Sequence, residues 1–409
     1  MRCGLLGRKL GHSYSPQIHA YLGDYSYDLF EKEPEEVGTF LKNSGFSAIN
    51  VTIPYKQTVM PYCAELSETA RRIGAINTIV RRQDGTLVGH NTDYFGFLST
   101  VKRTGLEPAG KKVLIIGSGG ASKPAITVME ELKANVVVIS HKENTPETLA
   151  AHSDCAILIN ATPVGMYPNV GVSPVDLSLF PRLEGIIDMI YNPARTKLLL
   201  DAEKRGLVAE NGLWMLVAQA KKAAEWFTGS TIDDGIIQAI HRQLKIQMEN
   251  IILIGMPGCG KSTVGKHLSQ QLGRPFVDAD SEIESTAGMT IPEIFNQSGE
   301  AGFRKIETQV LTELGRKSGL IIATGGGCVT QERNYPLLHQ NGTCVWITRN
   351  LQSLPTDGRP LSQAGKLEQM YQIRKPLYDR FADMTVSNDK TAEDCAATIM
   401  ELLSYGGMS

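Results

Sequence analysis

The chain has 409 residues, with 41 Lys and Arg against 43 Asp and Glu, a formal net charge of -2 and 42% apolar residues. That length exceeds one ordinary hydrophobic core and predicts two or three domains, while the near-neutral balance excludes the basic surplus that tracks a nucleic-acid backbone. Seven scattered cysteines without CxxC spacing suit a reducing cytoplasm, and no apolar run approaches the roughly 18 residues that span a bilayer. MRCGLLG at the start carries neither the charged nor the apolar region of a signal peptide. A cytoplasmic protein acting on small molecules, with no nucleic acid or membrane as partner, is the expectation.

Along the first half, HSYSP (12–16) sets Ser13 and Ser15 on an early loop, INVTIPYK (49–56) supplies Thr52 and Lys56, GAINT (74–78) supplies Asn77 and GHNTD (89–93) supplies Asp93. Hydroxyls and an amide can read a small polyol acid, and a lysine with a carboxylate can manage its proton. VLIIGSGGASKPA (113–125) predicts a strand, a glycine turn and a helix, with Ser122 where GxGxxG has its third glycine. The next strand, NVVVIS (135–140), ends in Ser140, His141 and Lys142. An acid there would bind a ribose diol and cations a 2′-phosphate, so NADP is favoured over NAD. Short apolar strands separated by helical patterns predict parallel sheets with right-handed crossovers.

HRQLKIQMEN (241–250) is the one seam and reads as a helix end. Beyond it, IILIG runs into GMPGCGKS (255–262), a full match to GxxxxGK[ST]. The backbone of Gly258, Cys259 and Gly260 can face phosphates, Lys261 can neutralise them, and Ser262, followed by Thr263, can ligate Mg²⁺. DAD (278–280) follows the strand PFV, so Asp278 and Asp280 are expected to point the same way, one toward the metal with Ser262 and the other toward a hydroxyl proton. GEAGFRKIE (299–307) sets Arg304 and Glu307 one helical turn apart. TGGG (324–327), Arg359 in DGRPL and Arg374 in RKPLY follow.

Taken together, the motifs of residues 1–246 resemble shikimate dehydrogenase, and the match continues through NATPVGM (160–166), DMIYNPART (188–196) and NGLWMLVAQA (211–220). The resemblance implies that Ser13, Ser15, Thr52, Asn77, Tyr191 and Gln219 bind shikimate and that Lys56 and Asp93 form the catalytic pair. It further implies that Gly117, Ser118, Gly119, Gly120, Ala121, Ser122, Met189 and Gly212 line the dinucleotide site, with Ser140, His141 and Lys142 beside the 2′-phosphate. Residues 248–403 resemble shikimate kinase. This implies shikimate contacts from Asp280, Arg304, Gly326 and Arg374, with both arginines on the carboxylate, Asp280 as proton acceptor, Arg359 as the lid arginine over ATP, and Ser262 and Asp278 serving Mg²⁺. The lid between Asn350 and Arg374 is several residues shorter than is usual there. A gluconate-type kinase is the rival reading, and Arg304, Arg374 and GGG together argue against it.

The implied fold class is α/β throughout. Residues 1–101, completed by helices at about 213–246, form a substrate domain. Residues 102–212 form a Rossmann NADP-binding domain, and residues 248–409 a P-loop nucleoside-monophosphate-kinase-like parallel α/β domain. The implied cofactors are NADP(H), ATP and Mg²⁺, and the implied substrates are 3-dehydroshikimate and shikimate.

Overall fold

The computed structural model describes residues 1–11, 13–354 and 364–405. The chain divides into two compact units: Met1–Gly165 with Ser173–Tyr191 and Asp201–His241, and Met166–Val172 with Asn192–Leu200 and Arg242–Ser409. The expected seam at 241–250 is largely helical, since the helix Gly235–Met248 runs through the division. The short segments 166–172 and 192–200 group with the second unit, which no composition shift in the sequence marks.

In the first unit, β1 (Arg2–Gly7), β2 (Ser26–Glu31), β3 (Ala48–Val51), β4 (Glu65–Leu66), β5 (Thr78–Arg81) and β6 (Leu87–His90) form one sheet in the order β2-β1-β3-β5-β6-β4. β1 runs parallel to β2 and β3, whereas β5 is antiparallel to β3 and β6. The alanine-rich helix Leu213–Thr228 returns to this sheet and puts Ala223 and Phe227 in a cluster with Cys3 and Ala48. It also lies close against the helix Asp93–Thr104, where a Cβ on Gly96 would stand 2.7 Å from the Met215 carbonyl. That close approach sets Asp93, at the start of one helix, beside Gln219 on the other.

The second sheet holds β7 (Lys112–Ile116), β8 (Asn135–Ile139), β9 (Ile157–Asn160), β10 (Gly185–Asp188) and β11 (Val208–Glu210), all parallel, in the order β11-β10-β9-β7-β8. β9 and β10 are buried along their whole length, which is why they read as unbroken apolar runs rather than alternating ones. The chain leaves β7 for β8 on one side and returns to β9 on the other, so the switch point of the sheet lies beside the end of β7, where doubly wound sheets bind ligands.

The second unit repeats this plan with β12 (Asn250–Ile254), β13 (Phe276–Asp278), β14 (Ile321–Ala323), β15 (Gly342–Thr348) and β16 (Met384–Ser387), parallel in the order β13-β14-β12-β15-β16. One large cluster built on Ile251–Ile254, Leu311, Ile322, Val345 and Ile347 forms its core. No helix among the described residues is long and apolar enough to cross a membrane, and all seven cysteines are free.

Asn250, fully buried at the start of β12, ties this sheet to the segment before β14. Its Nδ2 donates to the Lys317 carbonyl at 2.7 Å and its Oδ1 accepts from the Leu320 amide at 2.8 Å. Asn250→Ala strands both backbone groups in the core and is expected to cost about 1–3 kcal/mol. Hydrogen exchange of the β12 amides reads this locally, and unchanged protection there would refute it.

Candidate active sites

In the first unit a cavity of about 530 Å³ is lined by Ser13, Ser15, Thr52, Lys56, Asn77, Asp93, Tyr191 and Gln219. Residues from both ends of the unit's sequence therefore meet in one place. Lys56 Nζ donates to Asp93 Oδ2 at 2.6 Å, with the two side chains 22% and 13% exposed. Asp93 is the first residue of its helix, where the peptide dipoles favour a carboxylate. Asn77 is held from both sides: its Oδ1 accepts the Thr92 amide at 2.7 Å and its Nδ2 donates to Gln219 Oε1 at 3.3 Å. Burial raises the pKa of the Tyr191 hydroxyl above its ordinary value.

Asn50 lines the same cavity and was not singled out in the sequence. Its Nδ2 donates to the Asn77 carbonyl and to Thr78 Oγ1, and its Oδ1 accepts from the Tyr27 hydroxyl at 2.7 Å. The available signal was an amide inside the otherwise apolar, buried strand AINV.

Ala121, Met189 and Gly212 line the edge of this cavity, whereas Gly117–Gly120 and Ser122 do not. Gly117 has φ +108°, and a Cβ on it would stand 3.0 Å from the Ala161 carbonyl, so the turn after β7 closes tightly at the switch point. Ser122, in place of a third glycine, is buried and spends its hydroxyl on the Gly119 carbonyl at 2.7 Å. Gly212 presses still closer, with a Cβ there falling 2.2 Å from the Met189 carbonyl.

At the end of β8, Glu143 folds back onto Ser140. Glu143 Oε2 accepts from both the Ser140 amide at 3.1 Å and the Ser140 hydroxyl at 2.5 Å. These bonds hold the Glu143 carboxyl below the usual carboxylate range. A tight turn, not the strand residues themselves, brings the carboxylate there. His141 and Lys142 are both exposed beside it.

In the second unit a cavity of about 790 Å³ is lined by Gly258, Gly260, Lys261, Ser262, Thr263, Asp278, Asp280, Gly326 and Arg374, with Arg349, Phe295 and Met370 in addition. Gly260 has φ +102°, and a Cβ there would meet Asn388 Nδ2 at 2.2 Å. The same amide nitrogen donates to the Cys259 carbonyl at 2.8 Å, so Asn388 props the loop from behind. Lys261 Nζ donates to the Gly255 and Met256 carbonyls. Ser262 Oγ donates to Asp278 Oδ2 at 2.6 Å.

One expectation changes here. Asp278 and Asp280 do not share a strand face: β13 ends at Asp278, which caps the next helix by accepting the Asp280 amide, so the pair reaches one cavity from a strand end and a first helical turn. Cys259 is buried, with its Sγ 3.9 Å from Lys261 Nζ. Arg304 does not line the cavity. Its guanidinium lies under Gly327, paired with Glu307 at 2.8 Å and Glu300 at 3.2 Å, although its buried Nε and Glu307 Oε1 lack partners among the described residues. Arg374 does reach the cavity and donates to the Gly326 carbonyl at 3.2 Å. Arg359 lies outside the described residues.

Comparison with known proteins bears on both units. The family profile for the shikimate dehydrogenase substrate-binding domain matches residues 5–79 and that for shikimate kinase matches residues 257–404. A shikimate dehydrogenase (NADP(+)) of Clostridium perfringens is 35% identical over 266 residues, 59% of this chain and 97% of the relative. The chain belongs to the shikimate dehydrogenase family. It carries a shikimate kinase domain in its second half. Among solved structures, shikimate dehydrogenase 1 from Peptoclostridium difficile is 40% identical with a TM-score of 0.55, covering 60% of this chain and 98% of that one. A shikimate 5-dehydrogenase from Thermus thermophilus, in complex with NADP(H) and shikimate, is 30% identical with a TM-score of 0.54, covering 59% and 99%. The chain is a bifunctional enzyme of the shikimate pathway.

In the kinase unit, Asp280 carries the clearest electrostatic signature. Burial raises its carboxyl above the ordinary range, the Asp278 carboxylate adds to this, and Lys261 and Arg304 partly offset it. An acid with a raised folded pKa holds its proton longer folded than unfolded. Stability is therefore lost as pH rises from the ordinary aspartate range through the raised value, and stays lost above it. Asp280→Asn, neutral at every pH, is expected to stabilise the kinase unit at neutral pH while abolishing phosphorylation, with the stability gain vanishing below about pH 4. Thermal unfolding of the variant at both pH values checks it; a variant less stable than the parent at neutral pH would contradict the assignment.

Proposed function

We propose that the first cavity reduces the ring carbonyl of 3-dehydroshikimate and that the second phosphorylates the hydroxyl so formed. The observation that carries this is the Lys56–Asp93 pair, 2.6 Å apart on the wall of a cavity ringed by hydroxyls and amides. NADPH supplies the hydride in the first reaction, and ATP with Mg²⁺ supplies the phosphoryl group in the second.

In the dehydrogenase, Lys56 gives its proton to the oxygen as negative charge develops there, and Asp93 holds the ammonium in place and balances its charge. Ser13, Ser15, Thr52, Asn77 and Gln219 offer the hydroxyl and amide groups that orient a small polyol acid. Asn77 cannot swing freely, because Thr92 and Gln219 fix its amide. The Gly212 backbone presses on that of Met189, so no side chain at 212 would intrude where these residues would hold the nicotinamide.

In the kinase, Lys261 is placed to exchange the Gly255 and Met256 carbonyls for phosphate oxygens. Ser262 and Asp278 form a hard oxygen pair suited to Mg²⁺, directly or through water. Asp280 takes the proton from the acceptor hydroxyl, and its raised pKa brings it closer to the operating pH of a general base. Arg374 and Arg304 pair with the substrate carboxylate. For Arg304 this requires exchange of Glu300, the exposed one of its two acidic partners.

Lys56→Ala is expected to lower dehydroshikimate reduction by about 10²–10⁴-fold and to leave phosphorylation of added shikimate intact. Loss of both activities in folded protein would show the chain to be wrongly divided. Arg374→Ala leaves no buried acid behind, unlike truncation of Arg304, so it is the cleaner probe of the carboxylate site. It is expected to weaken shikimate binding by about 2–5 kcal/mol while ATP binding holds, as titration calorimetry with each ligand separately would reveal; equal weakening of both would count against the role.

A further inference from the structure

The turn after β8 carries an arrangement that the family's chemistry does not require. β8 lies beside β7, with Ile139 in register with Ile116 and the Gly117 amide donating to the Ile139 carbonyl at 2.8 Å. Ser140 is therefore the first residue beyond the strand next to the glycine turn, which is where a doubly wound sheet receives the adenosine ribose of a dinucleotide. Ser140 offers two donors at that point, its amide and its hydroxyl, and both go to Glu143 Oε2. The Glu143 amide donates back to the Ser140 carbonyl at 3.1 Å, closing the turn. Oε1 takes neither bond.

Resting on the dehydrogenase reading above, we infer that Glu143 sets the discrimination between NADP(H) and NAD(H) in this chain, and sets it low, so that both cofactors are turned over. A 2′-phosphate brings close to two negative charges and needs donors. Here both donors of Ser140, its amide and its hydroxyl, are committed to a carboxylate, and that carboxylate is itself a like charge. A ribose diol brings hydroxyl donors instead, which the same carboxylate accepts, as acids at this strand end do in NAD-binding sheets. His141 and Lys142 oppose the effect for the phosphate, and being exposed they act through solvent, where salt screens them. The site is thus built with one element for each cofactor.

The test uses the full chain and measures kcat/KM for dehydroshikimate reduction with NADPH and with NADH, for the parent, Glu143→Gln and Glu143→Ala. The parent is expected to use both cofactors, and each variant to raise the NADPH-to-NADH ratio by about tenfold, an effect that shrinks as ionic strength rises. Adenosine 2′,5′-bisphosphate, as an inhibitor competing for the cofactor site, should bind tighter to both variants, while adenosine 5′-monophosphate should not. Glu143 is exposed, and phosphorylation of added shikimate serves as the standard for folded protein. A ratio and inhibition constants that do not move would mean that Glu143 only closes the turn, and would overturn the inference while leaving the dehydrogenase intact. Turnover in the parent with NADPH alone would overturn it as well. Absence of reduction with either cofactor would remove the dehydrogenase reading and this inference with it.

Discussion

Both units depend on one steric constraint: a buried parallel strand must end on a glycine that presses its backbone against the next strand, with no volume left for a side chain. Gly117, after β7, meets the Ala161 carbonyl beyond β9, and Gly255, after β12, meets the Ile347 carbonyl of β15 at 2.4 Å from where a Cβ would sit. The contact turns the chain sharply at the switch point of each sheet. It frees the following amides to face a ligand and starts a helix immediately behind them, Ser122–Glu131 in one unit and Lys261–Leu272 in the other. Anionic ligands gain there from unpaired N–H groups and the helix dipole together.

Around these turns the two units solve different electrostatic problems. In the dehydrogenase, Lys56 and Asp93 neutralise one another while remaining partly open to the cavity, so the pair can change partners without stranding a buried charge. In the kinase, the charges lie deeper. Asp280 and Glu307 both have pKa values pushed up, by burial first, and Arg304 holds Glu307 against that pressure. A charge buried with an incomplete set of partners costs stability, and among the described residues Arg304 Nε and Glu307 Oε1 have none.

The chemistry of the two halves is sequential. Reduction creates a ring hydroxyl, and phosphoryl transfer consumes it, so the product of one cavity carries the same carboxylate and hydroxyls that the other must read. The two cavities differ in lining, with hydroxyls and amides around the first and phosphate-loop residues, carboxylates and arginines around the second. This difference follows from the reaction each catalyses: a proton and a hydride need a shaped, neutral pocket, whereas a phosphoryl group brings charge that cations must absorb.

The local patterns of this chain were legible because they are local. GMPGCGKS, VLIIGSGG and the unbroken apolar runs specify strand, turn and helix over a dozen residues, since glycine conformation, strand burial and helix starts depend on near neighbours. They were enough for the α/β class and for the two phosphate-facing turns. What the tertiary structure decided are matters of long-range placement. Asn50 matters because Tyr27 and Asn77 meet it from other strands. Arg304 turns inward because Glu307 and Gly327 make a better enclosure than solvent does. Asp278 leaves its strand to cap a helix, and Glu143 reaches Ser140 only because a turn folds it back. Periodicity tells which face of an element is apolar, but not which polar groups will be short of water once faces are packed. Those groups then choose partners by distance, and distance between remote residues exists only after the chain has folded.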